Sequence, residues 1–148
     1  MTTVLTSGAF DLLHYGHLRL LEEAKKLGGP DSRLVVIVAR DETVRRLKGR
    51  KPVIPEDQRR AVVEALKTVD EALLGYEDID MASVIERVKP DVIAVGYDQH
   101  EIEGEARRVI EGEGLDIRVI RLERFVNSDL NSSSKIKRKI VEDFIGAS

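Results

Sequence analysis

The sequence contains no cysteine and no tryptophan, and its aromatic residues are limited to three Phe and three Tyr. The absence of cysteine excludes disulfides, thiolate nucleophiles and cysteine-ligated zinc, and it fits a reducing compartment. No apolar run approaches the roughly 20 residues that a transmembrane helix needs. The first residues also lack the basic and apolar regions of a signal peptide. We therefore expect a cytoplasmic protein that does not bind a membrane.

The sequence also has no excess of positive charge. It contains 24 Lys and Arg against 27 Asp and Glu, and its formal net charge is -3. No global positive field attracts nucleic acid, and aromatic residues for stacking on bases are scarce. We therefore expect no nucleic-acid partner, and any phosphate must be bound locally. A length of 148 residues with 42% hydrophobic residues favours a single domain over residues 1–148.

Short β-branched runs alternate with amphipathic stretches along the chain. Strands are predicted at 4–7, 33–39, 69–74, 92–95 and 117–122. Helices are predicted at 15–27, 41–47, from Pro55 onward, 79–88, 101–113 and 133–145. The alternation predicts a Rossmann-like α/β fold with a mostly parallel five-stranded sheet and helices on both faces. In such folds, ligands bind beyond the carboxyl ends of the strands.

Two histidines follow the first predicted strand, at the start of a helix. Gly8 lets the backbone approach a ligand closely, and His14 and His17 can face one point because they are three residues apart. Backbone amides and the dipole at a helix start favour an anion, so the pattern favours a polyphosphate site. One capping and one exposed histidine, or a zinc site, are the alternatives. Zinc needs further ligands, and the only other histidine is His100.

The stretch GAFDLLHYGH at 8–17 resembles the signature of the nucleotidyltransferase superfamily, a G-x-F-D turn followed by H-x-G-H. NSSSKI at 131–136 is similar to the superfamily's I-S-S/T-T-x-I segment, which wraps the triphosphate at a helix start. The resemblance implies that His14 and His17 are catalytic and that both also contact the nucleotide. It implies further nucleotide contacts from Ala9, Phe10, Tyr15, Gly16, Ser132, Ser133, Ser134 and Lys135. Ala9 departs from the pattern, since Thr or Ser is common there, and its substitution removes one hydroxyl donor.

A finer resemblance, to the archaeal-type FAD synthetases, covers VARDETV at 38–44, KGRKP at 48–52, PEDQRR at 55–60 and GYDQ at 96–99. It implies catalytic phosphate contacts from Lys48 and Arg59, and a contact from Asp98 to the sugar or base. The implied reaction transfers AMP from ATP to FMN and gives FAD and pyrophosphate. The alternatives are a glycerol-3-phosphate cytidylyltransferase, or a related enzyme that uses CTP or ATP and a small phosphate acceptor, and a nucleotide-binding regulatory module without turnover.

The chemistry that the residues offer is consistent with this class. A phosphate monoester has its second pKa near 6, so the acceptor is largely a dianion at pH 7 and needs no general base. Histidines and cations that position and stabilise a transferring phosphoryl group are sufficient. We expect Mg²⁺ or another divalent cation to bridge the phosphates, no dedicated metal ligands from the protein, and a homodimer.

The last predicted helix begins with cations that oppose its dipole, which a bound triphosphate would explain. Lys135 is the expected phosphate contact. Lys137 and Lys139 are expected on a solvated face that Glu142 and Asp143 balance. The predicted buried stripe of this helix consists of Ile136, Ile140, Val141 and Phe144. A flavin ring would need a flat apolar slot, and the aromatic residues near predicted strand ends are Tyr15, Tyr97 and Phe125.

Overall fold

Strands and helices alternate as expected in the computed structural model, which describes residues 1–78, 80–124 and 132–145. The strands are β1 (Thr2–Gly8), β2 (Ser32–Val38), β3 (Glu71–Leu74), β4 (Val92–Val95) and β5 (Arg118–Arg121). The helices are α1 (Tyr15–Lys26), α2 (Asp41–Lys48), α3 (Glu56–Glu64), α4 (Met81–Val88), α5 (His100–Glu113) and α6 (Ser133–Phe144). Each predicted element is present, with bounds that differ by a few residues at most.

The five strands form one sheet in the order β3-β2-β1-β4-β5, and all of its neighbouring pairs are parallel. The central strand is β1, where Val4 pairs with Leu34 on one side and with Val92 on the other. The chain runs from β1 toward β3 and then crosses back to β4, so the order reverses beside β1. Ligand crevices of open α/β sheets lie at such a reversal, beyond the carboxyl ends of the strands.

Each face of the sheet packs against two helices, which confirms the predicted fold class. Alternate residues of β2 point to opposite faces because the side-chain period of a strand is two. On one face, Leu34 packs in a buried cluster with Leu21 of α1 and Val63 of α3. On the other face, Val35 packs with residues of α4 and α5 such as Ala106. Within the described ranges, none of the helices combines the length and the apolar character that crossing a bilayer requires.

The buried stripe predicted for α6 is wrong. Its apolar residues Ile140, Val141 and Phe144 are exposed by 46%, 50% and 80%, and none of the described residues of α6 is buried. Amphipathic spacing identifies an apolar face but does not say whether the rest of the chain covers it. The predicted homodimer stays a prediction.

Candidate active site

The loop between β1 and α1 has a conformation that is costly for ordinary residues. Phe10 and Leu12 both have positive φ, at 53° and 48°, and non-glycine residues in that region are uncommon and frequent at functional sites. The Phe10 ring is buried and folds back onto Gly8, where an added Cβ would come within 2.9 Å of the ring. A side chain at position 8 would therefore displace the Phe10 ring, and the turn leads to His14 at the N-cap of α1.

The two histidines lie together at the start of α1. Their rings stack with centroids 3.8 Å apart, and the His17 ring also contacts Phe10 at 5.4 Å. The backbone N–H of His14 donates to Nδ1 of His17 at 3.2 Å. The structure thus brings together the pair that the spacing predicted. Two of the other predicted contacts, Tyr15 and Gly16, lie between the histidines in the first turn of α1. Tyr15 is exposed.

The protonation state of His17 follows from its surroundings. Burial, together with the charges of His14 and Lys48, lowers the pKa of His17 to about 3, and the opposing effect of Asp11 is smaller. His17 is therefore neutral at physiological pH. Because its Nδ1 accepts a hydrogen bond, the single proton of the neutral ring resides on Nε2. His17 is thus fixed as a hydrogen-bond donor through Nε2–H, and burial lowers the pKa of His14 as well.

The low pKa of His17 makes a prediction about stability. The unfolded chain takes up a proton at this histidine near its ordinary value of 6.5, whereas the folded chain does so only near 3. The free energy of unfolding should therefore fall as pH decreases from about 6.5 toward 3, with a contribution of up to about 1.4 kcal/mol per pH unit. We expect His17→Gln to reduce this slope in urea unfolding measured from pH 7 to pH 4.5. The exposed His100 gives the control, and equal slopes for His17→Gln and His100→Gln would contradict the low pKa.

Lys48 is a predicted cation whose charge affects this pair. It is the last residue of α2, which ends at Gly49 with a φ of 82°, and its side chain is exposed. Its charge is one of the causes of the lowered pKa of His17, so it acts on the same point as the histidines. The basic residues at 48–51 lie at the end of α2 and in the loop that leads to α3, and the contact of Lys48 with phosphate stays a prediction.

Arg59 does not lie where a phosphate contact was expected. Its side chain is buried, with an exposure of 1%. The guanidinium donates from Nε to the carbonyl of Ile54 at 2.8 Å, and from Nη1 to the carbonyls of Ala9 at 2.6 Å and Ala39 at 2.8 Å. Its Nη2 pairs with Asp41 at 2.7 Å. Arg59 therefore ties the ends of β1 and β2 to the loop before α3, and its expected role changes from phosphate contact to positioning.

Asp11 belongs to the G-x-F-D turn, and the structure shows that it is a site residue although no role was expected of it. Its buried carboxylate accepts the backbone N–H groups of Val53 and Ile54 at 2.8 and 2.9 Å. Burial alone would raise the pKa of Asp11, but these two bonds and the nearby Lys137 outweigh it and hold the pKa below its usual value. The Oγ of Ser133 donates to the backbone carbonyl of Asp11. Asp11 thus joins the loop between β1 and α1 to the loop before α3 and to α6.

The N-terminus of α6 is capped by a serine, and one of its lysines lies elsewhere than expected. Ser132 is the N-cap and its Oγ accepts the N–H of Lys135 at 3.2 Å. Lys137 was expected on the solvated face, yet its Nζ lies 3.6 Å from the Asp11 carboxylate. Lys139 does lie on that face and pairs with Asp143 at 2.7 Å. Ser134 is exposed, and Lys135 is half-buried beside the cap.

The turn after β4 closes the other side of the crevice. Gln99 accepts the backbone N–H of Gly96 at 2.7 Å and donates to the carbonyl of Ser7 at 2.9 Å. It therefore fixes the end of β4 against the end of β1. Asp98, the predicted sugar or base contact, is exposed beside it. Gln99 belongs to the GYDQ segment at 96–99, and its side-chain amide can both donate and accept, as it does here.

Of the aromatic residues considered for a flavin, Tyr97 lies at this turn. It is 43% exposed, and the guanidinium carbon of Arg124 lies 5.6 Å from its ring centroid, within the range of a cation–π contact. Phe125 falls outside the described residues. Tyr97 therefore offers a partly exposed ring beside Asp98, and the flat apolar slot for a flavin stays an expectation.

Comparison with known proteins decides the family. The sequence matches the cytidylyltransferase-like family over residues 5–139. The chain belongs to the cytidylyltransferase-like family. Several archaeal relatives named FAD synthase are similar to it, with 48% identity in Methanopyrus kandleri, 49% in Aciduliprofundum boonei and 50% in Ferroglobus placidus. These alignments cover 94%, 96% and 95% of this chain, and 91%, 92% and 89% of the relatives.

Solved structures give the same result for the fold. A lipopolysaccharide core biosynthesis protein from Thermoplasma volcanium is 42% identical, with a TM-score of 0.75 over 85% of this chain and 99% of its own. A protein of unknown function from Archaeoglobus fulgidus has a TM-score of 0.67 over 86% of this chain and 93% of its own; at 22% identity it supports the fold alone. Together the comparisons confirm the predicted superfamily and the predicted kind of enzyme, a nucleotidyltransferase similar to the FAD synthases.

Proposed function

We propose that this member of the cytidylyltransferase-like family transfers the AMP moiety of ATP to FMN and releases pyrophosphate, with FAD as the product. The observation that carries the proposal is the stacked histidine pair at the start of α1, with a neutral His17 near Lys48. Similarity to the FAD synthases supports the choice of substrates. We propose a cytoplasmic location, because a sequence without cysteine fits a reducing compartment.

The reaction joins an FMN phosphate oxygen to the α-phosphorus of ATP and breaks the bond from that phosphorus to the oxygen of the leaving pyrophosphate. The acceptor is already a dianion at pH 7, so no protein group has to remove a proton. His17 donates its Nε2–H to an oxygen of the transferring group, where negative charge is stabilised in the transition state. Lys48 and the N-terminal amides of α1 supply further positive potential.

The nucleotide lies across the end of β1, where the contacts predicted for Ala9, Phe10 and Asp98 meet those from the start of α6. We place Lys135 and Ser134 on the triphosphate. Ser132 and Ser133 act more indirectly, because their hydroxyls already bond to Lys135 and Asp11. Arg59 is a positioning residue that holds the carbonyl of Ala9.

Mg²⁺ is the divalent cation we expect, since it prefers phosphate oxygens and water to a cage of protein ligands. Within the described ranges there is no group of three or more His, Asp or Glu placed to hold a metal ion. We therefore propose that the ion arrives on the triphosphate of ATP. Activity should be lost in excess chelator and restored by added Mg²⁺.

The test is an assay of the purified chain with ATP, FMN and Mg²⁺. Flavin fluorescence should fall as FAD forms, because adenine stacks on the isoalloxazine ring, and pyrophosphate should appear in equal amount. Riboflavin should give no product, since it lacks the phosphate that attacks. Release of pyrophosphate from CTP with glycerol-3-phosphate, but not from ATP with FMN, would replace this function by the cytidylyltransferase alternative. Binding of nucleotide without turnover on any acceptor would favour a regulatory module.

A further inference from the structure

A cavity of about 280 Å³ opens between α2 and α5. Both helices begin a few residues after a strand ends, α2 after β2 and α5 after β4. These two strands flank β1, whose end leads to the histidine pair. The cavity therefore lies at the edge of the sheet where the reaction is proposed. Its walls come from Thr43, Arg46 and Leu47 of α2, and from Glu101 and Glu105 of α5.

The wall from α2 contains one apolar side chain, that of Leu47. Leu47 is 55% exposed and lies between two basic residues along the chain. An aliphatic side chain in such a segment gains free energy when a ligand covers it. The residue after Leu47 is Lys48, whose charge reaches His17. Thr43 is buried and its hydroxyl already donates to the carbonyl of Glu77 at 3.1 Å, so it adds no unmet polar group.

The remaining walls are polar and carry a defined arrangement of charge. Arg46 is held by Asp78 at 2.8 Å and by a bond to the carbonyl of Glu77, which leaves other guanidinium N–H groups to donate. Glu105 pairs with Arg108. Glu101 has neither a hydrogen bond nor an ion pair to any residue in the ranges that the structure describes. The cavity thus combines an apolar wall, a guanidinium and a carboxylate acceptor.

We propose that this cavity binds the isoalloxazine ring of FMN, an inference that rests on the proposed function. The ring is flat, neutral and largely apolar, and its pyrimidine edge carries one N–H between two carbonyls. Leu47 packs against the ring, Glu101 accepts the N–H, and Arg46 donates to a carbonyl. The two carboxylates repel the phosphate of FMN, whereas Lys48 attracts it. The charges therefore orient the acceptor with its ring in the cavity and its phosphate toward His17.

The test separates recognition of the ring from recognition of the phosphate. Lumiflavin has the isoalloxazine ring but no phosphate, so its binding does not depend on Lys48. We expect Leu47→Ala to weaken lumiflavin binding, followed by flavin fluorescence, roughly 5- to 10-fold, and to raise KM for FMN by a similar factor. KM for ATP should stay within about twofold. The control is Val62→Ala, because Val62 is 49% exposed on α3 and does not line the cavity.

Glu101→Gln gives a second, independent variant, since it keeps the size of the side chain and removes the charge. It should weaken lumiflavin binding in the same direction and leave KM for ATP unchanged. If the wild type makes FAD while both variants keep normal lumiflavin binding and normal KM for FMN, the ring binds elsewhere and only this inference is overturned. If the wild type makes no FAD from FMN and ATP, the proposed function fails and the inference fails with it.

Discussion

Replacing His17 by alanine should lower kcat by about 10²-fold or more, the loss seen when a preorganised donor to a developing oxyanion is removed. The reason is that His17 is fixed as an Nε2–H donor by its bond from the backbone of His14. Because the pKa of His17 is lowered to about 3, the ring stays neutral from pH 6 to pH 8. The loss should therefore be the same at both pH values, as measured by pyrophosphate release.

Two further variants test whether the effect belongs to the donor. His17→Gln places an amide N–H at a similar distance from the backbone and should retain more activity than His17→Ala. His100→Ala changes an exposed histidine on α5 and should keep the wild-type kcat. Circular dichroism should show that the variants are folded. Near-normal turnover in folded His17→Ala would remove His17 from the mechanism.

The order of elements and the place of the site could be predicted because both depend on local patterns. Buried parallel strands appear as short apolar runs, as in Ser32–Val38 of β2. The rule that ligands lie beyond the strand ends then pointed to the loop that carries His14 and His17, whereas Lys48 and Asp98 came from the resemblance to the FAD synthetases. A helix start was placed one residue early at Pro55, which is the N-cap of α3 and not its first residue. Proline is compatible with both positions, so the sequence alone does not separate them.

The errors concern side chains whose partners are distant in the chain. Arg59 carries the charge of a phosphate ligand, but its direction depends on carbonyls 20 and 50 residues away. Lys137 resembles a solvated lysine until α6 brings it beside Asp11, which also accepts a hydrogen bond from the loop before α3. The same holds for the exposed apolar face of α6, because periodicity does not identify what covers a helix. These contacts are tertiary, and composition and spacing do not encode them locally.

Arg59→Met should cost about 3 kcal/mol in the free energy of unfolding, because it removes a buried guanidinium that donates to several backbone carbonyls. The variant keeps an unbranched side chain of similar length but leaves three part-buried carbonyls and Asp41 without their donor. The neighbouring residue is the matched control, because Arg60 is partly exposed and pairs with Glu64. Arg60→Met should cost less than about 1 kcal/mol. Urea unfolding at constant pH measures both.

The kinetic consequence distinguishes a positioning residue from a phosphate ligand. Arg59 holds the carbonyl of Ala9, so in the fraction of Arg59→Met that remains folded, loosening of the loop before the histidines should lower kcat as well as raise KM for ATP. Arg59→Lys should lie closer to Arg59→Met than to the wild type, because one ammonium does not reproduce four bonds in fixed directions. If instead Arg59→Met is as stable as Arg60→Met and only KM for ATP rises, the guanidinium turns toward the triphosphate, and the contact first expected from the sequence is restored.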